Sequence, residues 1–307
     1  MSYALLFSGQ ASQHPDMLPW LESEPAAAPT LHAMSSRFGP DWRHALQDPH
    51  RRSDNAFAQV LITGTSLAAW AAIQDRLPAR PAAVAGYSVG ELPAFACAGV
   101  FSTDQALMLA AERAALMDQA VAGLNTGLLS VSGIPEAAVL AQCPHLGLEC
   151  AIRVNVNHAI FAGTTDALAQ AALALVAGGA VCKPLEVRVA SHSSWMVPAA
   201  RAFAEALSEV PFSTPSCPIA VNASGVLSRK PGELRQALSQ QLASTVQWAA
   251  CMEAIAERNI SCVLEVGAGS ALARMWNDRY PAVPARALDD FQQMRGALTW
   301  IEKHMDS

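Results

Sequence analysis

Short apolar segments alternating with helices predict an α/β fold, a parallel sheet covered by helices on both faces. Two further observations sharpen it. A strand-turn-helix unit is built around Gly86-Tyr87-Ser88-Val89-Gly90-Glu91. The stretch from Asn125 to Val187 changes to β-α-β-β-α-β order, which reads as a ferredoxin-like subdomain inserted into the larger unit. The predicted division is residues 1–125 and 188–307 for the large domain and 126–187 for the small one.

Ala4-Leu5-Leu6-Phe7 reads as a first buried strand, running into the small polar loop Ser8-Gly9-Gln10-Ala11-Ser12-Gln13. Residues 19–52, rich in Pro, Ala and Arg, read as surface helices and turns. Ser53-Asp54-Asn55 offers a cap to a helix from about Ala56 to Asp75. Leu77 to Pro81 is a linker, and Ala82 to Ala85 a buried strand. Ser102 and Gln105 form a capping box that starts a helix reaching about Ala122.

In the small subdomain, 127–132, 151–155, 160–163 and 181–187 read as strands. Pro135 to Gln142 and Asp166 to Ala177 read as helices, the second ended by glycines. Beyond it, helices are predicted over 198–210, 231–243 and 249–258, strands over 219–222, 262–266 and 285–288, and a final helix to His304.

The 307 residues are 52% hydrophobic and 15% charged, enough for a large core and too apolar for disorder. The net charge of −6 and the lack of a basic-aromatic strip argue against nucleic acid. No run reads as bilayer-spanning; the longest candidate, Ala167 to Val181, is broken by Gln170 and Gly178-Gly179. The first residues lack a basic region, so no signal peptide is read. Seven cysteines without a C-x-x-C pair argue against zinc and a disulfide framework, and with them a cytoplasmic location is expected.

G-x-S-x-G between a strand and a helix is the setting of a nucleophilic serine. The glycines permit a sharp turn, and the helix N-terminus favours developing negative charge beside Ser88. A serine nucleophile needs a base. His192, in Val189-Ala190-Ser191-His192-Ser193-Ser194, sits where the inserted subdomain returns to the large domain, a plausible cleft wall. Taken alone, a histidine satisfied by loop backbone is the simpler explanation; paired with Ser88 in serine-then-histidine order, the two readings stand level. Arg113 lies in a helix apolar nearly all round, so it should be buried, and a buried guanidinium demands an anion. From spacing alone, Glu112, Asp118 or another internal acid is the simpler partner.

Six segments together resemble the malonyl-CoA:acyl-carrier-protein transacylase family in order and approximate spacing. They are Phe7 to Gln13, Gly86 to Glu91, Glu112 to Met117, Ala190-Ser191-His192, Val246-Gln247-Trp248 and Glu265 to Gly269. The resemblance spans Ala4 to about Leu288. It implies an α/β-hydrolase-like large domain with a ferredoxin-like insertion. It implies that Ser88 carries the malonyl group, that His192 is general base and then acid, and that Arg113 holds the malonyl carboxylate. It further implies an oxyanion hole from the backbone N–H groups of Gln10 and Val89, and His192 oriented by Gln247 or the backbone beside it. Malonyl-CoA is the implied donor and the phosphopantetheine-type thiol of an acyl carrier protein the acceptor, with no bound cofactor and no metal.

Three departures stand out: Tyr87 where the family has His, Ala11 where it has Gly, and a shortened stretch from Asn155 to Gly163. They point to a specialised relative such as the malonyl-transfer subunit of malonate decarboxylase. A fatty-acid or polyketide transacylase, a serine thioesterase or esterase, and a non-catalytic carrier-docking subunit are the alternatives. Lys183, Arg188, Arg201, Arg229 and Lys230 are candidate contacts for an acidic carrier, each better explained, taken singly, as solvated surface charge.

Overall fold

A computed structural model describes residues 2–77 and 79–305; Met1, Asp306, Ser307 and Pro78 of the predicted linker lie outside the described residues. The large sheet has the strands β1 (Tyr3–Phe7), β2 (Ala83–Gly86), β7 (Ile219–Ala220), β8 (Leu227–Ser228), β9 (Cys262–Val266) and β10 (Ala285–Ala287). Their order is β10-β9-β1-β2-β7-β8, parallel except for the β7–β8 pair. β1 and β9 are buried along their whole length, as continuous apolar strands of a covered parallel sheet must be.

The small sheet has β3 (Thr126–Ser132), β4 (Glu149–Asn155), β5 (His158–Thr164) and β6 (Val181–Pro184) in the order β4-β5-β3-β6. Numbered within that unit, the order is 2-3-1-4, the ferredoxin-like arrangement read from the sequence, and the described pairs are antiparallel. Side chains alternate along β3. Leu129 and Val131 pack in a separate small core with Phe161 and Leu175, while Leu128 joins the main core. The edge strand β4 is tied back to the large unit: Arg153 N–H donates to the Val246 carbonyl at 2.9 Å and Val246 N–H to the Ala151 carbonyl at 2.8 Å.

Local signals account for most helices. Asp54 caps the helix Asn55–Ile73 by accepting from Phe57 N–H at 2.7 Å. Both bonds of the Ser102/Gln105 capping box are made, at 3.2 and 2.8 Å, opening the helix Thr103–Ala120. Pro135 caps its helix rather than entering the first turn, because its ψ of 154° is extended.

Two expectations need correction, and two elements carry no sequence signal. The segment 19–52 is not merely surface: Trp20, Leu21, Met34, Trp42 and Leu46 are buried in the core. The helix Ala271–Arg279 was not read, its apolar face being only Leu272, Ala273 and Trp276. β8 was also missed, since two half-buried residues carry no periodicity. A helix does reach bilayer-spanning length and apolarity, Asn55–Arg76, but 83% of its apolar window is buried inside the protein. Its hydrophobicity is that of a central core helix, flanked by Ala28–Phe38 and Thr103–Ala120.

Candidate active site

β2 delivers the chain into a turn that few residues tolerate. Ser88 has φ of +56°, the left-handed region. A Cβ on Gly86 would stand 1.9 Å from the Gly90 carbonyl carbon, and one on Gly90 would stand 2.4 Å from the Phe7 carbonyl oxygen. Both positions therefore require glycine. Gly9 is as tightly held, since a Cβ there would lie 2.6 Å from the Tyr87 carbonyl oxygen. Glycine contacts thus press the end of β1 and its loop directly onto the turn. The helix Glu91–Cys97 follows at once.

Asn222, two residues past β7, locks this turn. Its Oδ1 accepts from Ser88 N–H at 2.8 Å and its Nδ2 donates to the Gly86 carbonyl at 2.7 Å. Its own N–H donates to Glu91 Oε1 at 2.6 Å.

Ser88 Oγ lies 2.7 Å from His192 Nε2. On the other side of the ring, Nδ1 is 2.7 Å from the backbone carbonyl of Gln241. A carbonyl can only accept, so Nδ1 carries the proton and Nε2 is left to accept from the serine hydroxyl. Burial, with the nearby Arg113 guanidinium, pushes the imidazole pKa down to about 3, so the ring is neutral. His192 has φ of +62° and is 1% exposed.

Arg113 is also 1% exposed. Nη1 donates to Gln59 Oε1 at 2.6 Å, and Nη2 to Gln241 Oε1 at 2.8 Å and to Ser88 Oγ at 3.3 Å. Nε is buried without an acceptor. The internal acids do not pair with it. Asp118 accepts instead from Asn55 at 2.9 Å, and Arg113 has no carboxylate within ion-pair distance among the described residues. Burial lowers its pKa to about 10, which still leaves it charged at neutral pH.

Gln241 connects these groups. Besides accepting from His192 and Arg113, its Nε2 donates to Glu91 Oε2 at 2.6 Å and to the Ser88 carbonyl at 2.9 Å. Desolvation raises the Glu91 carboxyl to about 8 against the opposing pull of these hydrogen bonds and of Arg113.

The sequence reading of Gln247 is corrected here. Its side chain accepts from Arg153 at 3.3 Å and donates to the Thr245 carbonyl at 3.1 Å, and makes no hydrogen bond to His192. Its N–H donates to the Asn222 carbonyl, placing it behind the turn rather than beside the imidazole. The orienting backbone lies six positions earlier, at Gln241. Gln59, Glu91, Gln241 and Asn222 were not singled out as site residues; only Glu91 belonged to a recognised motif.

The N–H groups of Gln10 and Val89 make no backbone hydrogen bonds among the described residues, and Gln10 Nε2 is buried without a partner. A cavity of about 260 Å³ opens between the two sheets, lined by Gln10, Ser12, Tyr87, Ser130, His158 and Lys183 among others. Tyr87 packs edge-on to Trp248, with ring centroids 5.1 Å apart. Of the surface cations, Lys183 borders this cavity and Arg188 donates to His50. Arg229 is bonded to the Pro215 carbonyl, and Lys230 is paired with Glu233 at 2.7 Å.

Residues 4–298 match the family described as acyl transferase domain. The chain belongs to that family. This acyltransferase is 30% identical over 305 residues to a malonyl CoA-acyl carrier protein transacylase of Salmonella typhimurium, covering 97% of the chain and 99% of that protein. It is 33% identical over 290 residues to the enzyme of the same name from Mycobacterium tuberculosis, covering 93% and 95%. Among solved structures, FabD from Acinetobacter baumannii superposes with a TM-score of 0.89 at 28% identity, covering 98% of each chain. A malonyl-transacylase solved in complex with a type II PKS acyl-carrier protein does so with a TM-score of 0.89 at 27% identity, covering 97% and 99%.

Proposed function

We propose that this acyltransferase moves a malonyl group from malonyl-CoA to the thiol of an acyl carrier protein through an acyl-serine at Ser88. One observation carries the reading: a hydroxyl, a neutral imidazole and a guanidinium lacking a carboxylate meet around one atom, Ser88 Oγ. The names of the relatives agree with it.

Ser88 Oγ attacks the thioester carbonyl carbon while its proton passes to His192 Nε2. The C–S bond then breaks, and His192 returns the proton to the departing CoA sulfur. The Gln10 and Val89 N–H groups stabilise the oxyanion. The carrier thiol reverses these steps. Arg113 binds the malonyl carboxylate, and that pairing has a second consequence. With no carboxylate bound, the guanidinium adds to burial in opposing protonation of His192. A bound carboxylate cancels that field, so the base strengthens when the correct acyl group arrives.

Units 1–125 with 188–307 and 126–187 are taken as two domains, with the acyl chain entering between them. For the acceptor, the carrier of malonate decarboxylase stands beside fatty-acid and polyketide carriers, Tyr87 and the two-residue turn between β4 and β5 being the departures that raise it. Discharge of the malonyl-enzyme by a panel of such carriers checks this, the fastest acceptor deciding the assignment.

The main test is intact mass after incubation with malonyl-CoA. Wild type should gain one malonyl group and Ser88→Ala none. Arg113→Ala should lose the preference for malonyl-CoA over acetyl-CoA, by about 100-fold or more. Rapid CoA release without any acceptor thiol would instead mean a thioesterase.

A further inference from the structure

Acyl-transfer chemistry makes no use of Asp289, yet its carboxylate is 5% exposed and accepts from three donors. Oδ1 accepts from Leu18 N–H at 2.5 Å. Oδ2 accepts from Gly269 N–H at 2.6 Å and lies 2.7 Å from His14 Nε2. A carboxylate can satisfy several donors converging from different directions, which no neutral side chain of its size does.

All three donors bear on the loop that carries Gln10. Leu18 and His14 belong to its far end. Gly269 is packed on its middle, where a Cβ would lie 3.3 Å from the Ser12 carbonyl oxygen. The near end is held separately, by Ser8 N–H on the Val266 carbonyl and Ser8 Oγ on Glu265 Oε1, both at 3.1 Å. Between these pins Ala11 has φ of +73°, and at the far end Leu18 has φ of +48°. Neither is glycine, so the left-handed conformation persists only because the surroundings over-determine it.

We propose that Asp289 is a positioning residue for acyl transfer, holding the Ser8–Leu18 loop against the strain at Ala11 so that the Gln10 N–H faces the thioester oxygen. This rests on the acyl-serine reading and on Gln10 as an oxyanion donor. Asp289 touches no reacting atom. Its effect should fall on the transition state, where oxyanion charge develops, and not on ground-state binding.

The test compares wild type, Asp289→Asn, and Asp289→Asn combined with Ala11→Gly. The rate of malonyl-Ser88 formation is followed by rapid quench and intact mass over a range of malonyl-CoA concentrations. Asparagine keeps the size but turns an NH2 group toward N–H donors. The maximal rate should fall about 10- to 100-fold with half-saturation unchanged, as for a displaced catalytic group. Ala11→Gly should recover much of it, because removing the strain removes the force that deforms the loop. A merely structural role predicts no such rescue. Where Asp289→Asn fails to fold by near-ultraviolet circular dichroism, His14→Ala removes one donor from the exposed side and should slow acylation about two- to fivefold. A wild-type maximal rate in the folded variant, a loss confined to half-saturation, or a loss without rescue by Ala11→Gly overturns the proposal. No adduct on wild type overturns the acyl-serine reading instead.

Discussion

Two left-handed turns meet at the site, at Ser88 and Ala11, and they are held by different means. At Ser88 the turn is enforced from inside. Gly86 and Gly90 admit backbone where no Cβ fits, and the single buried side chain of Asn222 bonds both sides of the bend. At Ala11 the strained residue is exposed, and the loop is fixed from outside by Asp289 and Gly269, residues some 270 positions away in sequence. The first turn can be read as a motif because its constraint is local. The second cannot, because its constraint is tertiary. The difference also concerns tolerance. Strain locked by backbone contact leaves no alternative conformation, whereas strain opposed by side chains can be relieved by one substitution.

This contrast can be broken in graded steps. Gly86→Ala drives a Cβ into the Gly90 carbonyl and should destabilise by about 4 kcal/mol or more, seen as loss of soluble folded protein or a large fall in urea midpoint. Asn222→Ala orphans the Ser88 N–H and the Gly86 carbonyl and should destabilise by about 2–4 kcal/mol, with slower acylation in the protein that folds.

Acid should expose the buried base. The unfolded chain takes up a proton at residue 192 near pH 6.5, whereas the native imidazole resists until about 3. The stability it contributes is therefore complete above pH 6.5 and is lost as pH falls toward 3, by at most about 1.4 kcal/mol per pH unit. Glu91 and Glu265, both raised to about 8, act in the opposite sense, gaining stability as pH falls from 8 toward 4.5. Urea midpoints of wild type and His192→Gln between pH 7 and 5 isolate the histidine, since the glutamates are common to both. Wild type should lose more.

The smallest effect belongs to the opposing loop. Ala11→Gly should raise the urea midpoint by up to about 1 kcal/mol equivalent, relief of the left-handed alanine offset by glycine's greater unfolded entropy. Destabilisation there would show that Ala11 is not strained.

Much of the site was legible because its key residues sit in segments with their own constraints. Ser88 lies in a glycine-defined turn, Arg113 on the buried face of a helix whose other face, with Met108 and Glu112, is exposed, and His192 at a junction between units. What failed was partnership. Gln247 or the backbone beside it was read as orienting His192, but the carbonyl that does so is six positions earlier, at Gln241, and any residue supplies a carbonyl. No side-chain pattern marks such a position. Gln59, inside an apolar helix, and Asn222, after a two-residue strand, likewise acquire meaning only from what they touch.

The sequence by itself determined the alternation of strands and helices, the ferredoxin-like insertion and the elbow at Ser88, which follow from periodicity and glycine placement acting over a few positions. His192 and Arg113 were singled out as its partners by the resemblance of six ordered segments, since taken alone each has a simpler structural explanation. Only the tertiary structure decided which carbonyl orients the imidazole, that Arg113 has no carboxylate partner among the described residues, and that Asp289 reaches back to the first loop. Those depend on groups far apart in the chain being brought within 3 Å or so, and hydrogen-bond energy falls away too steeply with distance and angle for sequence separation to predict it.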